Sequence, residues 1–108
     1  MYSINYLVEK FTQAVYDLST GQGDARSRIA VAYGRFRHID LEEFPQELRK
    51  DREEITYLLT RLGGREGYIL VDNLSRMKNK TASRVARLIL EIYFQLVEIQ
   101  NRESTRIC

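Results

Sequence analysis

Residues 81–102, TASRVARLILEIYFQLVEIQNR, decide how the rest of the chain must be arranged. At about 100° per residue, the polar side chains Arg84, Arg87, Glu91, Gln95, Glu98 and Arg102 fall in an arc of roughly 80° on a helix. Two apolar stripes fill most of the remaining circumference. Val85, Leu88, Ile89, Ile92, Leu96 and Ile99 form the first, and Ala86, Leu90, Tyr93, Phe94 and Val97 lie beside it. Together they approach ~240°, whereas a helix resting on a globular domain needs a stripe of only about 100°. Such a helix is either central to its own domain or shared with another chain. Thr81 stands where it can cap the amino end.

The preceding stretches supply shorter amphipathic helices. Residues 3–18 place Ile4, Leu7, Val8, Phe11, Ala14, Val15 and Leu18 on one face, with Ser3 as cap and with Tyr2, Tyr6 and Tyr16 on the far side. After the turn Ser19–Gly23, Asp24 is the expected cap of a helix over 25–38 whose inward stripe is Ala25, Ile29, Ala32, Tyr33 and Phe36. Its arginines, Arg26, Arg28, Arg35 and Arg37, are expected to pair with the acidic segment that follows. Asp40 and Glu43 have capping-box spacing for a short turn, and Pro45 suits the start of a new helix. Over 46–62, Leu48, Ile55, Leu58, Leu59 and Leu62 align, with Arg49/Glu53 and Lys50/Glu54 one turn apart. Gly63 is a natural left-handed terminus. In 65–78, Tyr68–Val71 has strand composition, but Leu70, Leu74 and Met77 fit a helix and no partner strand exists, so a helix is expected.

The fold class read from these segments is all-α: a compact up-down bundle of four main helices plus one or two short ones, with the C-terminal helix central. A chain of 108 residues makes one domain, taken as 1–102, with 103–108 as a flexible tail. The composition, 44% hydrophobic and 30% charged with one Pro, is that of a globular helical protein and not of a disordered one. Cys108 alone cannot form an internal disulfide and fits a reducing compartment. Without a leader pattern or an unbroken apolar span, the expected location is cytoplasmic, with no membrane partner.

The net charge of +2 implies no polyanion partner by itself, but the charge is unevenly spread. Residues 40–54 hold seven acids against Arg49, Lys50 and Arg52, while 76–87 carry Arg76, Lys78, Lys80, Arg84 and Arg87 with no acid. A short helix, a tight turn and then T-A-S-R-V within 70–88 resembles the second half of a helix-turn-helix DNA reader. Val71, Met77, Ala82 and Val85 stand where that motif buries small or apolar residues. It departs from the motif at Asp72, where a small residue is usual, and at Arg76, where the turn takes Gly. The resemblance implies a nucleic-acid contact through Arg76, Lys78, Lys80, Thr81, Ser83, Arg84 and Arg87, using phosphate neutralisation and the free amides of a helix start.

Catalytic chemistry has little to rest on. One histidine and one cysteine make no metal site, no phosphate-binding glycine loop or nucleophile elbow is present, and no cofactor is implied. Arg35-Phe36-Arg37-His38 resembles the arginine and histidine of the small helical HEPN ribonucleases, in which the two stand four to six residues apart on one helix. Here only two residues separate Arg35 from His38. The expected catalytic set is therefore empty, with a ribonuclease centred on His38 as third reading. The first reading is a non-catalytic protein–protein module, self-associating as a homodimer or binding another protein through Ala86, Leu90, Tyr93, Phe94 and Val97, with no small-molecule substrate evident. A nucleic-acid binder using 70–88 is the alternative.

Overall fold

The computed structural model describes residues 3–107, with side chains as far as Ser104; the expectations for Tyr2 and Cys108 lie outside the described residues. Among the described residues there are five α-helices, one 3-10 turn and no strand. They are α1 (Ile4–Thr20), α2 (Ala25–Gly34), the 3-10 turn Leu41–Glu43, α3 (Gln46–Thr60), α4 (Ile69–Arg76) and α5 (Asn79–Ile107). The molecule is an all-α bundle. Its longest dimension, 50 Å, is set by the 29 residues of α5, which at 1.5 Å per residue span about 43 Å.

The helix starts follow from local chemistry. Ser3 Oγ accepts the Tyr6 amide at 3.2 Å, and Asp24 Oδ1 accepts the Ser27 amide at 3.0 Å. That bond, then the guanidinium of Arg26, holds the Asp24 carboxyl below its ordinary range. Gly63 adopts φ of +66°, the left-handed conformation that closes α3 and that a side chain would strain. Other expectations are corrected. The Asp40 side chain makes no capping bond. Because α5 begins at Asn79, Thr81 is not its cap but a half-buried residue within its first turn. At its other end α5 continues to Ile107, beyond Arg102. Helix α2 stops at Gly34, four residues early, and Phe36 and His38 fall in the turn after it; Ala25 is exposed. The helix expected within 65–78 is present as α4, starting at Ile69, and Tyr68–Val71 forms no strand.

Burial of the first stripe of α5 organises the core. Val85, Leu88, Ile89, Ile92 and Leu96 are buried against Leu7, Phe11 and Ala14 of α1, Ile29 and Ala32 of α2, and Leu48, Ile55 and Leu59 of α3. Helices α1 and α5 run antiparallel, with Gln100 Nε2 donating to Asn5 Oδ1 at 2.8 Å. On the same face of α1, Phe11 stacks on Phe36 with centroids 4.4 Å apart and meets Phe44 edge-on at 5.9 Å, which ties the α2–α3 connection to the core.

Helix α4 is attached differently. Asn73, 1% exposed, accepts the Leu62 amide at 3.0 Å and donates to the carbonyls of Gly63 (3.0 Å) and Ile69 (2.7 Å). One amide side chain thus satisfies the frayed end of α3 and the start of α4 together. Replacing Asn73 by Ala orphans these groups, and the expected loss is about 1–3 kcal/mol of unfolding free energy, measured by urea denaturation.

Candidate functional site

Two surfaces on α5 are candidates, and they lie at different heights along it. The first is the outer stripe. Ala86, Tyr93 and Val97 are half-buried, and Tyr93 packs against the core; Leu90 and Phe94 remain exposed, at 36% and 63%. The Tyr93 and Phe94 rings are 5.7 Å apart and tilted by 51°. The stripe is therefore covered on the side next to the core and open on the side next to Arg87. On α1, Tyr16 is 66% exposed, as expected of a far-side tyrosine.

The second surface is the basic segment. The structure brings Arg76, Lys78 and Thr81 to one cavity of about 270 Å³ and adds Arg61 from the end of α3, with Leu58, Leu62, Asn73 and Met77 completing the lining. No carboxylate lines it. Arg61 escaped the sequence reading because it belongs to another helix. Arg76 is fixed there by donating to the carbonyls of Asp72 (3.2 Å) and Gly63 (2.9 Å). Arg84 is engaged elsewhere: Nε and Nη2 both bond Glu54 Oε1 on α3, and this pairing raises the pKa of Arg84. Lys80, Ser83 and Arg87 are exposed and do not line the cavity. Of the apolar positions of the helix-turn-helix pattern, Met77, Ala82 and Val85 are buried, but Val71 is exposed, and the turn between α4 and α5 is only Met77-Lys78.

Asp72, the departure from that pattern, has a structural task. Its carboxylate accepts Arg65 Nη2 at 2.8 Å, Arg65 Nε at 3.1 Å and the Arg65 amide at 3.0 Å, fastening the 63–68 loop to α4. These bonds depress its pKa from the ordinary 3.8 to about 2, the side-chain bond contributing most.

The remaining arginines pair otherwise than the sequence implied. Arg35 forms a two-pronged bridge with Asp17 of α1, Nε to Oδ2 at 2.7 Å and Nη2 to Oδ1 at 3.1 Å, which raises the Arg35 pKa. Arg26 pairs with Asp24, not with the acids of 40–54, and Arg49 donates to the carbonyls of Phe44 and Glu42 instead of meeting Glu53. His38 Nε2 lies 3.0 Å from the Tyr6 hydroxyl. Arg35 is thus turned to Asp17 and away from the histidine with which it was grouped. Among the described residues no cluster of three or more His, Cys, Asp or Glu could hold a metal, and no helix is long and apolar enough to cross a membrane.

No protein-family model matches the chain, and neither a curated protein nor a solved structure matches it.

The carboxyl of Asp72 is expected to titrate near pH 2, followed by its side-chain ¹³C shift, and to move up toward 3.8 in Arg65→Ala. Because the folded pKa lies below the unfolded one, the bridge contributes fully above the unfolded value and is lost as pH falls through the folded one. The 63–72 amides are expected to lose exchange protection over that acid range.

Proposed function

We propose that this chain is a non-catalytic helical protein–protein module that pairs with a second copy of itself through the outer face of α5. The observation that carries the reading is the exposure of Leu90 and Phe94 in the middle of the helix that also holds the core together. Contiguous apolar surface of this kind marks contact sites, and a two-fold pair buries it with one patch.

Charge favours a second copy as the occupant. In an antiparallel pair of α5 helices with the two-fold axis at the level of Ile92, Leu90 of each copy faces Phe94 of the other. Arg87 and Glu98 lie on one flank of α5, within about 20° of each other on the helix. The same axis sets Arg87 of each copy opposite Glu98 of the other, so both ends of the contact are complementary.

Wild-type protein is expected to be dimeric by sedimentation equilibrium. Leu90→Glu with Phe94→Glu is expected to give a soluble monomer of unchanged helicity by circular dichroism. Insoluble, unfolded protein would instead place these side chains in the core, and a wild-type monomer at the highest attainable concentration would end the proposal. Arg87→Glu alone weakens the dimer, and Arg87→Glu combined with Glu98→Arg restores it.

One observation favours a second reading, nucleic-acid binding: the cavity lined by Arg61, Arg76, Lys78 and Thr81 has cations from three parts of the chain and no acid. Phosphate contact there requires counterion release. Fluorescence anisotropy with mixed-sequence DNA and RNA is expected to show an affinity that falls by more than tenfold between about 50 and 200 mM salt, and that is lost when Arg61 and Lys78 are changed to Ala. Salt-insensitive binding, or none at low salt, retires it.

A further inference from the structure

The most unusual residue lies away from both surfaces. Arg52 stands on the inward stripe of α3 and is 6% exposed. Its guanidinium carbon sits over the rings of Tyr33, Phe36 and Phe44 at 5.6, 5.1 and 5.6 Å. Nη1 donates to Thr56 Oγ1 at 2.6 Å, and Nε is sealed with no acceptor. Among the described residues no carboxylate reaches Arg52 within the 4.0 Å of an ion pair. Burial pushes its pKa down, with Tyr33 acting in the other direction. The rings attract the cation and cover its faces, but a buried guanidinium is fully compensated only by an oxyanion at its edge.

A cavity of about 330 Å³ opens beside it, lined by Arg52, Tyr33, Arg37 and Thr56, with Asp40 and Glu53 also contributing. Arg37 lies over the Tyr33 ring at 5.7 Å and has no ion pair among the described residues. Tyr33 and Arg37 also line a neighbouring cavity of about 590 Å³, whose wall is Tyr68, Ile69, Leu70 and Val71 at the start of α4. Tyr68, Ile69 and Val71 are exposed apolar residues in a loop-to-helix junction that the core does not need. A compartment that holds the Arg52 and Arg37 guanidinium groups and a largely apolar compartment thus share Tyr33 and Arg37, and together they have the size of a small-molecule site.

We infer that this groove between α2, α3 and α4 binds a carboxylate that carries an apolar group. With Nε sealed and Nη1 held by Thr56, the terminal-nitrogen edge of Arg52 is what remains for a carboxylate, Arg37 supplies the second cation, and the apolar group lies along Tyr68–Val71. Asp40 and Glu53 offset the two arginines, so the lining is neutral overall and what favours an anion is the local edge of the Arg52 guanidinium; a single carboxylate leaves one net negative charge there, and a phosphate dianion leaves two and is disfavoured. None of the lining residues belongs to α5, so the site does not depend on self-association.

The test is a ¹H–¹⁵N titration of the full chain with octanoate, and in parallel with octan-1-ol, acetate and inorganic phosphate. Octanoate is expected to give saturable shifts confined to residues 37–41, 52–56 and 67–71. Octanol lacks the charge and acetate the chain, and each is expected to bind at least about tenfold more weakly, the worth of one charge-assisted hydrogen bond. Arg52→Met abolishes the preference for octanoate over octanol. If that variant does not fold, Arg37→Ala, at an exposed position, carries the same comparison, and Val71→Asp closes the apolar end. Octanol binding as tightly as octanoate, phosphate competing with it, shifts centred on Leu90 and Phe94, or no saturation would each overturn the inference.

Discussion

A helix with two apolar stripes has only three other long or medium helices, α1, α2 and α3, to cover it, and most of the architecture follows from that shortage. Core formation consumes the stripe from Val85 to Leu96, which packs against all three. The adjoining stripe is covered on its core side, where Tyr93 packs, and stays open at Leu90 and Phe94. Fully burying a side chain of this size is worth about 1.5–3 kcal/mol. The open side is therefore a reservoir of association energy that the isolated fold does not draw upon.

The polar residues divide by whether their partners are near or far in the chain. Part of the caps and turns was legible: Ser3, Asp24 and Gly63 act on residues a few positions away, and their chemistry is written in the local sequence, whereas Asp40 and Thr81 have the residue type of a cap without the role. Apolar periodicity also located the helices and most of the core. Partners across the fold were not legible. Arg84 reads as a free cation until α3 brings Glu54 to it, and Arg35 reads as a partner of the acids that follow until α1 brings Asp17. Arg61 joins Arg76 and Lys78 only because α3 ends beside the start of α5. Phase alone does not tell Val71 from Leu70, and α4 turned out to present Val71 to solvent.

Arg52 is the instructive case. It lies four residues after Leu48, three before Ile55 and seven before Leu59, squarely on the stripe that those residues define, and so its burial was readable from spacing. A charged residue on an apolar stripe is easily passed over as an edge position. What no spacing reveals is the ring of Tyr33, Phe36 and Phe44, contributed by α2, the turn after it and the residue that ends the 3-10 turn, that allows the guanidinium to sit there. Asn73 was missed for a related reason: an amide on a short helix looks like solvent-facing decoration until two chain ends converge on it.

The pairing of Asn5 with Gln100 joins the first and the last of the five helices, so the principal contact of the bundle closes a loop of almost the whole described chain. During synthesis, α1 can meet α2 and the turn after it, through Phe11 and Phe36, before the stripe of α5 has been made. The rest of its apolar face must wait for the fifth helix. Until α5 arrives, Leu7, Phe11 and Ala14 are incompletely covered, and the half-assembled bundle exposes them to other chains.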